Sequence, residues 1–97
     1  MMFFETTEYD TSFLVPGCLY SPCRYSLPIA AELDNKYEER ERVEKGEVFL
    51  FVEWRQINKE YFAKVISAKT GFAGWVFIHN GSFGSGVPLS RIFKKVL

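Results

Sequence analysis

Ninety-seven residues, 47% of them hydrophobic and 18% aromatic, make one folded domain: the chain is too apolar to stay disordered and too short to divide its core. The formal charge is zero, which disfavours a general polyanion-binding role. Its distribution is uneven, however: residues 1–44 carry nine acids and four bases, residues 45–97 three acids and eight bases, so the halves are expected to pair within one domain and a local basic patch stays open.

No run approaches the roughly 18 consecutive apolar residues of a membrane span. The opening Met-Met-Phe-Phe lacks a basic flank and is followed by Glu5 and Glu8, so a cytoplasmic protein without a signal peptide is expected, and no membrane partner. Residues 1–12 carry apolar side chains first and acids afterwards, without period, and read as an N-terminal arm or edge strand. Residues 13–97 form the domain proper.

From Ser12 to Tyr20 a short apolar run is broken by Pro16 and Gly17, and Pro22 and Pro28 then exclude a continuous helix or central strand. This segment reads as a long irregular loop with strand-like edges. Within it lie the only two cysteines, Cys18 and Cys23. Two thiols are too few for the disulfide framework of a small secreted domain, and together with the single His79 they fall short of the four ligands of a structural zinc site. Free, buried or half-buried thiols are expected, with no metal and no cofactor. Residues 30–44 have helix-forming composition for a turn or two but few apolar positions, so a charged, solvated excursion is predicted.

Residues 47–54, EVFLFVEW, alternate as a strand does, with Val48, Leu50, Val52 and Trp54 on one face and Phe49 and Phe51 on the other. If the valines and Leu50 face the core, the two phenylalanines form an exposed patch that either the arm, through Met2, Phe3 and Phe4, or a second copy of the chain must cover; monomer and homodimer are the two expectations. A polar connector, RQINK, leads to a second strand over residues 60–68, with Tyr61, Ala63 and Val65 opposed to Phe62, Lys64 and Ile66. Lys69, Thr70 and Gly71 supply a tight turn, since glycine tolerates positive φ. A third strand, FAGWVFIH, follows. Residues 80–86, NGSFGSG, read as a flexible loop, and the tail as a single helical turn and a closing strand. The sum is an all-β domain of five to six short antiparallel strands with a long charged first loop.

The order of these features resembles the SH3-like barrel, in particular its bacterial members. Lys45-Gly46-Glu47 resembles the Lys-Gly-Asp/Glu that ends the family's long first loop. Lys64-Val65, Gly71 and Gly74-Trp75-Val76 are similar to the family's W-x-K-V, G and G-W-V positions. Cys18-Leu19-Tyr20 stands where eukaryotic members have Ala-Leu-Tyr, and Ser90 to Phe93 where they have a Ser-Asn-Tyr-Val turn. The resemblance implies a small barrel whose rings at Tyr20, Phe62 and Trp75 line a shallow groove for a protein or peptide partner, with Phe77 added because it shares the face of Trp75. It also implies that carboxylates of the first loop, here Glu38, Glu39, Glu41 and Glu44, meet a basic residue of the ligand. Phe77 stands where peptide-binding members carry proline and Ile92 where they carry a groove tyrosine, which argues against proline-rich PxxP ligands.

No motif frames a nucleophile, a base or a metal set, so no catalytic residue is assigned and an enzyme is not expected. A protein-interaction module is the leading expectation, of the kind that phages and mobile elements encode to occupy a host protein's surface. The alternative is an SH3-like module of transcription or translation that binds nucleic acid through Arg55, Lys59, Lys64, Lys69, Lys94 and Lys95 beside stacking rings.

Overall fold

The computed structural model describes residues 12–58, 60–79, 82–83 and 87–96. In chain order these hold β1 (Leu19–Pro22), β2 (Leu27–Ala30), a 3-10 turn (Leu33–Asn35), β3 (Glu39–Val43), β4 (Phe49–Ile57), β5 (Glu60–Ser67), β6 (Ala73–His79), β7 (Ser82–Phe83), β8 (Val87–Pro88), a helical turn α1 (Leu89–Ile92) and β9 (Phe93–Val96). The domain is all-β, and every described strand pair is antiparallel. The pairing path runs β3-β2-β6-β5-β4-β1-β9, with β7 and β8 attached beyond β6. Strands in the described residues outnumber the five to six expected, because the irregular loop before residue 30, the charged excursion over 30–44 and the stretch 82–88 contain short strands of their own.

The meander β4-β5-β6 is the centre of the sheet, and its turns are local. Between β5 and β6, Gly71 adopts φ 78° and donates its N–H to Ser67 O at 2.8 Å, while the Thr70 hydroxyl accepts from Phe72 N–H at 3.2 Å. Between β4 and β5 the strands run further than the sequence suggests. Arg55, Gln56 and Ile57 pair with Phe62, Tyr61 and Glu60, so most of the expected connector is strand, and Asn58 turns the chain at φ 57°, a conformation asparagine tolerates.

The facing of β4 is opposite to the alternation read from residues 47–54. Phe49 and Phe51 are fully buried, while Leu50 and Val52 are half-exposed. Phe49 and Phe51 keep the two-residue alternation with their core face inward, and a bulge then follows: Phe51 pairs with Val65 and Glu53 with Lys64, so Val52 is an extra residue. The bulge resets the period, and Trp54 joins Phe51 on the core side with their rings 5.3 Å apart. Phe49 packs edge-on against Phe93 at 5.4 Å and tilts against Tyr20 at 6.0 Å. The supposed patch of Phe49 and Phe51 is thus covered from within, and with it goes the reason for an arm or second copy there. The arm, residues 1–12, lies outside the described residues except for Ser12, as do Asn80, Gly81, Gly84, Ser85 and Gly86 of the glycine-rich loop. Each buried phenylalanine contributes on the order of 1.5–3 kcal/mol relative to exposure.

The predicted excursion is charged and largely exposed, with a 3-10 turn at Leu33–Asn35, but it also pairs into the sheet. Residues 39–43 form β3, which pairs with β2 through Leu27 with Val43 and Ile29 with Glu41. Alternation buries Val43 and leaves the charged side chains on the exposed edge, where they also discourage edge-to-edge association. β2 then crosses to β6 at one register pair, Ala30 with Trp75, which leaves Pro28 outside that ladder. The crossing is close: a Cβ on Gly74 would stand 2.5 Å from Ala30 O and 2.5 Å from Ile29 Cγ2, so only glycine fits. At the other end of the sheet the tail behaves as expected, with Leu89, Ile92 and Phe93 buried against the core.

Candidate partner-binding face

The strand register sorts the rings of the meander. Phe62 pairs with Phe77, Lys64 with Trp75 and Arg55 with Phe62, which places all five side chains on the face opposite the core residues Ala63, Val65, Val76 and Ile78. Phe62, Trp75 and Phe77 are therefore brought together as the sequence suggested. Tyr20 is not. Its ring is 0% exposed, its hydroxyl accepts from Val15 N–H at 2.7 Å and donates to Phe13 O at 3.2 Å, and it presents nothing to a partner. Tyr20 lies on β1 between β4 and β9, far around the sheet path, where a large ring with a satisfied hydroxyl fills core volume.

Cations dress the outer rings. Arg55 stands 5.2 Å and Lys64 5.8 Å from the Trp75 centroid, and Arg55 reaches Glu53 at 3.9 Å. Further along, the turn after the 3-10 segment folds over the Phe62–Phe77 pair, whose centroids are 5.5 Å apart. Tyr37 meets Phe77 edge-on at 6.1 Å yet remains 81% exposed, and this cover leaves Phe62 only 2% exposed although it lies on the outer face. An open cavity of about 740 Å³ results, lined by Leu33, Asp34, Lys36, Tyr37, Glu38, Ile57, Glu60 and Phe62, among others. Ile57 adds a second large exposed apolar side chain to its rim.

The four glutamates do not act as one cluster. Glu39 forms a two-armed ion pair with Arg42, which lowers its pKa below the usual carboxylate value and raises that of Arg42. The bulge at Arg40, between the pairs Ile29–Glu41 and Ala30–Glu39, is what brings residues 39 and 42 to the same side. Glu41 is half-exposed on β3, and Glu38 alone of the four lines the cavity. Glu44 contributes its backbone N–H to the Glu47 carboxylate at 2.9 Å; that bond, followed by Lys69 at 3.2 Å, holds the Glu47 pKa down. Sequence reasoning missed Lys36, Tyr37, Ile57 and Glu60. The signal available was the run Lys36-Tyr37, a ring beside a cation inside an otherwise acidic loop.

Another cavity, about 690 Å³, lies beside β1, β9 and the turn before β4 and is lined by Cys23, Lys45, Lys94 and Lys95, among others. Cys18 is half-exposed and Cys23 exposed, both as free thiols. Among the described residues no three His, Cys, Asp or Glu side chains are grouped to hold a metal ion, and no helix is long and apolar enough to cross a membrane. No family model, curated protein or solved structure matches the chain.

Proposed function

We propose that this chain is a small protein-interaction module of the SH3-like barrel type, acting in a reducing, cytoplasmic setting, which docks a protein or peptide partner on the outer face of β5 and β6. The carrying observation is the cavity floored by Phe62 and rimmed by the exposed Tyr37 and Ile57, continuous along the sheet with Phe77 and Trp75. A ring left four-fifths exposed beside other rings is the kind of group that anchors a partner. The strand order supports the barrel type: a three-stranded meander, a first-loop hairpin crossing to its far strand, and a helical turn before the closing strand. Two free thiols support the reducing setting.

The test is capture of host proteins on the immobilised chain, identified by mass spectrometry, then repeated with Tyr37→Ala and Trp75→Ala. Loss of about 2 kcal/mol or more of affinity from either variant, with circular dichroism unchanged, is the expected result. Full affinity in both variants would sink the reading. One observation favours the nucleic-acid alternative, namely that Lys45, Lys94 and Lys95 line a single cavity. Binding there would fall steeply with salt, whereas docking on the aromatic face depends on salt weakly.

A further inference from the structure

Lys36 sends its ammonium into a site built of strand residues. Nζ stands 4.3 Å from the Phe77 centroid, 5.3 Å from that of Tyr37 and 6.0 Å from that of Phe62, and it donates to Glu60 Oε2 at 2.6 Å. Ring faces carrying negative quadrupole, joined by one carboxylate, are the combination that selects an alkylammonium. Phe62, Phe77 and Glu60 are held by paired strands, so these walls stay in place without the lysine. Lys36 itself comes from a turn fixed by two backbone bonds, Asn35 N–H to Glu32 O at 3.3 Å and Glu38 N–H to Asn35 O at 3.0 Å. The charge balance points the same way. Asp34, Glu38 and Glu60 line the cavity, against Lys36 as its cation.

We propose that Tyr37, Phe62, Phe77 and Glu60 form a receptor for the ammonium of a lysine side chain on a partner protein, and that Lys36 is an internal ligand filling it until the partner displaces it. This rests on the interaction-module reading and names the chemistry the module recognises. Lysine is favoured over arginine because the site already accepts a flexible stem ending in a point charge on one carboxylate oxygen. An internal ligand lowers apparent affinity by the fraction of molecules in which the site is open.

The experiment titrates n-butylammonium chloride, the bare lysine head group, into the full chain and into Lys36→Ala and Lys36→Gln, following aromatic proton resonances by NMR with circular dichroism as the check on folding. Both variants should show saturable shifts of the Tyr37, Phe62 and Phe77 ring signals at probe concentrations about tenfold below those the native chain needs. Adding Glu60→Gln to Lys36→Ala should abolish saturation. Folded variants whose rings do not respond up to about 0.1 M probe, or respond as the native chain does, overturn the receptor. So does unfolding of both variants, since Lys36 would then be a structural tie. Probe binding with host-protein capture unaffected by Tyr37→Ala and Trp75→Ala would keep the receptor and remove the interaction-module reading. Capture lost in those variants without probe binding to the Lys36 variants would do the reverse.

Discussion

The two faces of the β4-β5-β6 meander carry aromatic rings in comparable number and use them differently. On the inner side rings meet rings and aliphatic chains: Phe49 with Phe93 and Tyr20, Phe51 with Trp54. On the outer side rings meet cations as well as one another: Trp75 lies beside Arg55 and Lys64, and Phe77 beside Lys36 as well as Phe62 and Tyr37. A ring closed in by other carbon contributes to stability through area and packing, whereas one beside a cation keeps a face that a ligand can claim by displacing a side chain. Aromatic content alone therefore says little about binding. What lies against each ring decides.

The contrast breaks first at the core. Phe49→Ala should destabilise the domain by about 3–5 kcal/mol in a denaturant titration, the usual cost of a large cavity. A loss near zero would mean that the inner and outer faces are wrongly assigned. Next comes the place where β2 presses on β6: Gly74→Val should cost about 1–3 kcal/mol, because β2 must move for any Cβ to fit. Trp75→Ala should cost about 1 kcal/mol, as expected for a half-buried ring leaning on an exposed Arg55 and a half-exposed Lys64. Stability loss equal to that of Phe49→Ala would move Trp75 into the core and end the comparison. Tyr20→Phe is of similar size, about 1 kcal/mol, from the loss of the bond that satisfies Val15 N–H.

The smallest effect concerns pH and sharpens the edge of the sheet. The pKa of Glu47 is lowered in the folded chain, first by the Glu44 backbone N–H and then by Lys69. A depressed carboxylate contributes stability that is present above its unfolded pKa and disappears as pH falls through the folded value. Melting temperature measured across the acid range should therefore show a shallower decline for Glu47→Gln than for the native chain. Identical profiles would mean that the carboxylate contributes nothing there.

What could be read in the sequence was local. The turn at Gly71, the close approach at Gly74, the inward facing of Val65 and Val76, and the helical turn before the last strand each depend on a few adjacent residues whose backbone preferences or period carry the information. The shared face of Phe62, Trp75 and Phe77 followed from the same period on two strands joined by a tight turn. Where tertiary structure decided, the information was not local. Pairing with β1 and β5 set Phe49 and Phe51 inward, and a bulge at Val52, visible only once β4 is paired with β5, put Trp54 on their side against a simple two-residue alternation. Tyr20 went to the core because β1 pairs between β4 and β9 with its ring turned onto Phe49, from a strand nearly thirty residues later. Lys36 and Tyr37 looked like part of a solvated loop, since a sequence pattern counts charges but cannot say which distant rings a folded turn will lay them upon. The all-β class was thus set by short-range propensity and turns, while the candidate site was set by contacts between segments far apart in the chain, whose energy exists only after folding.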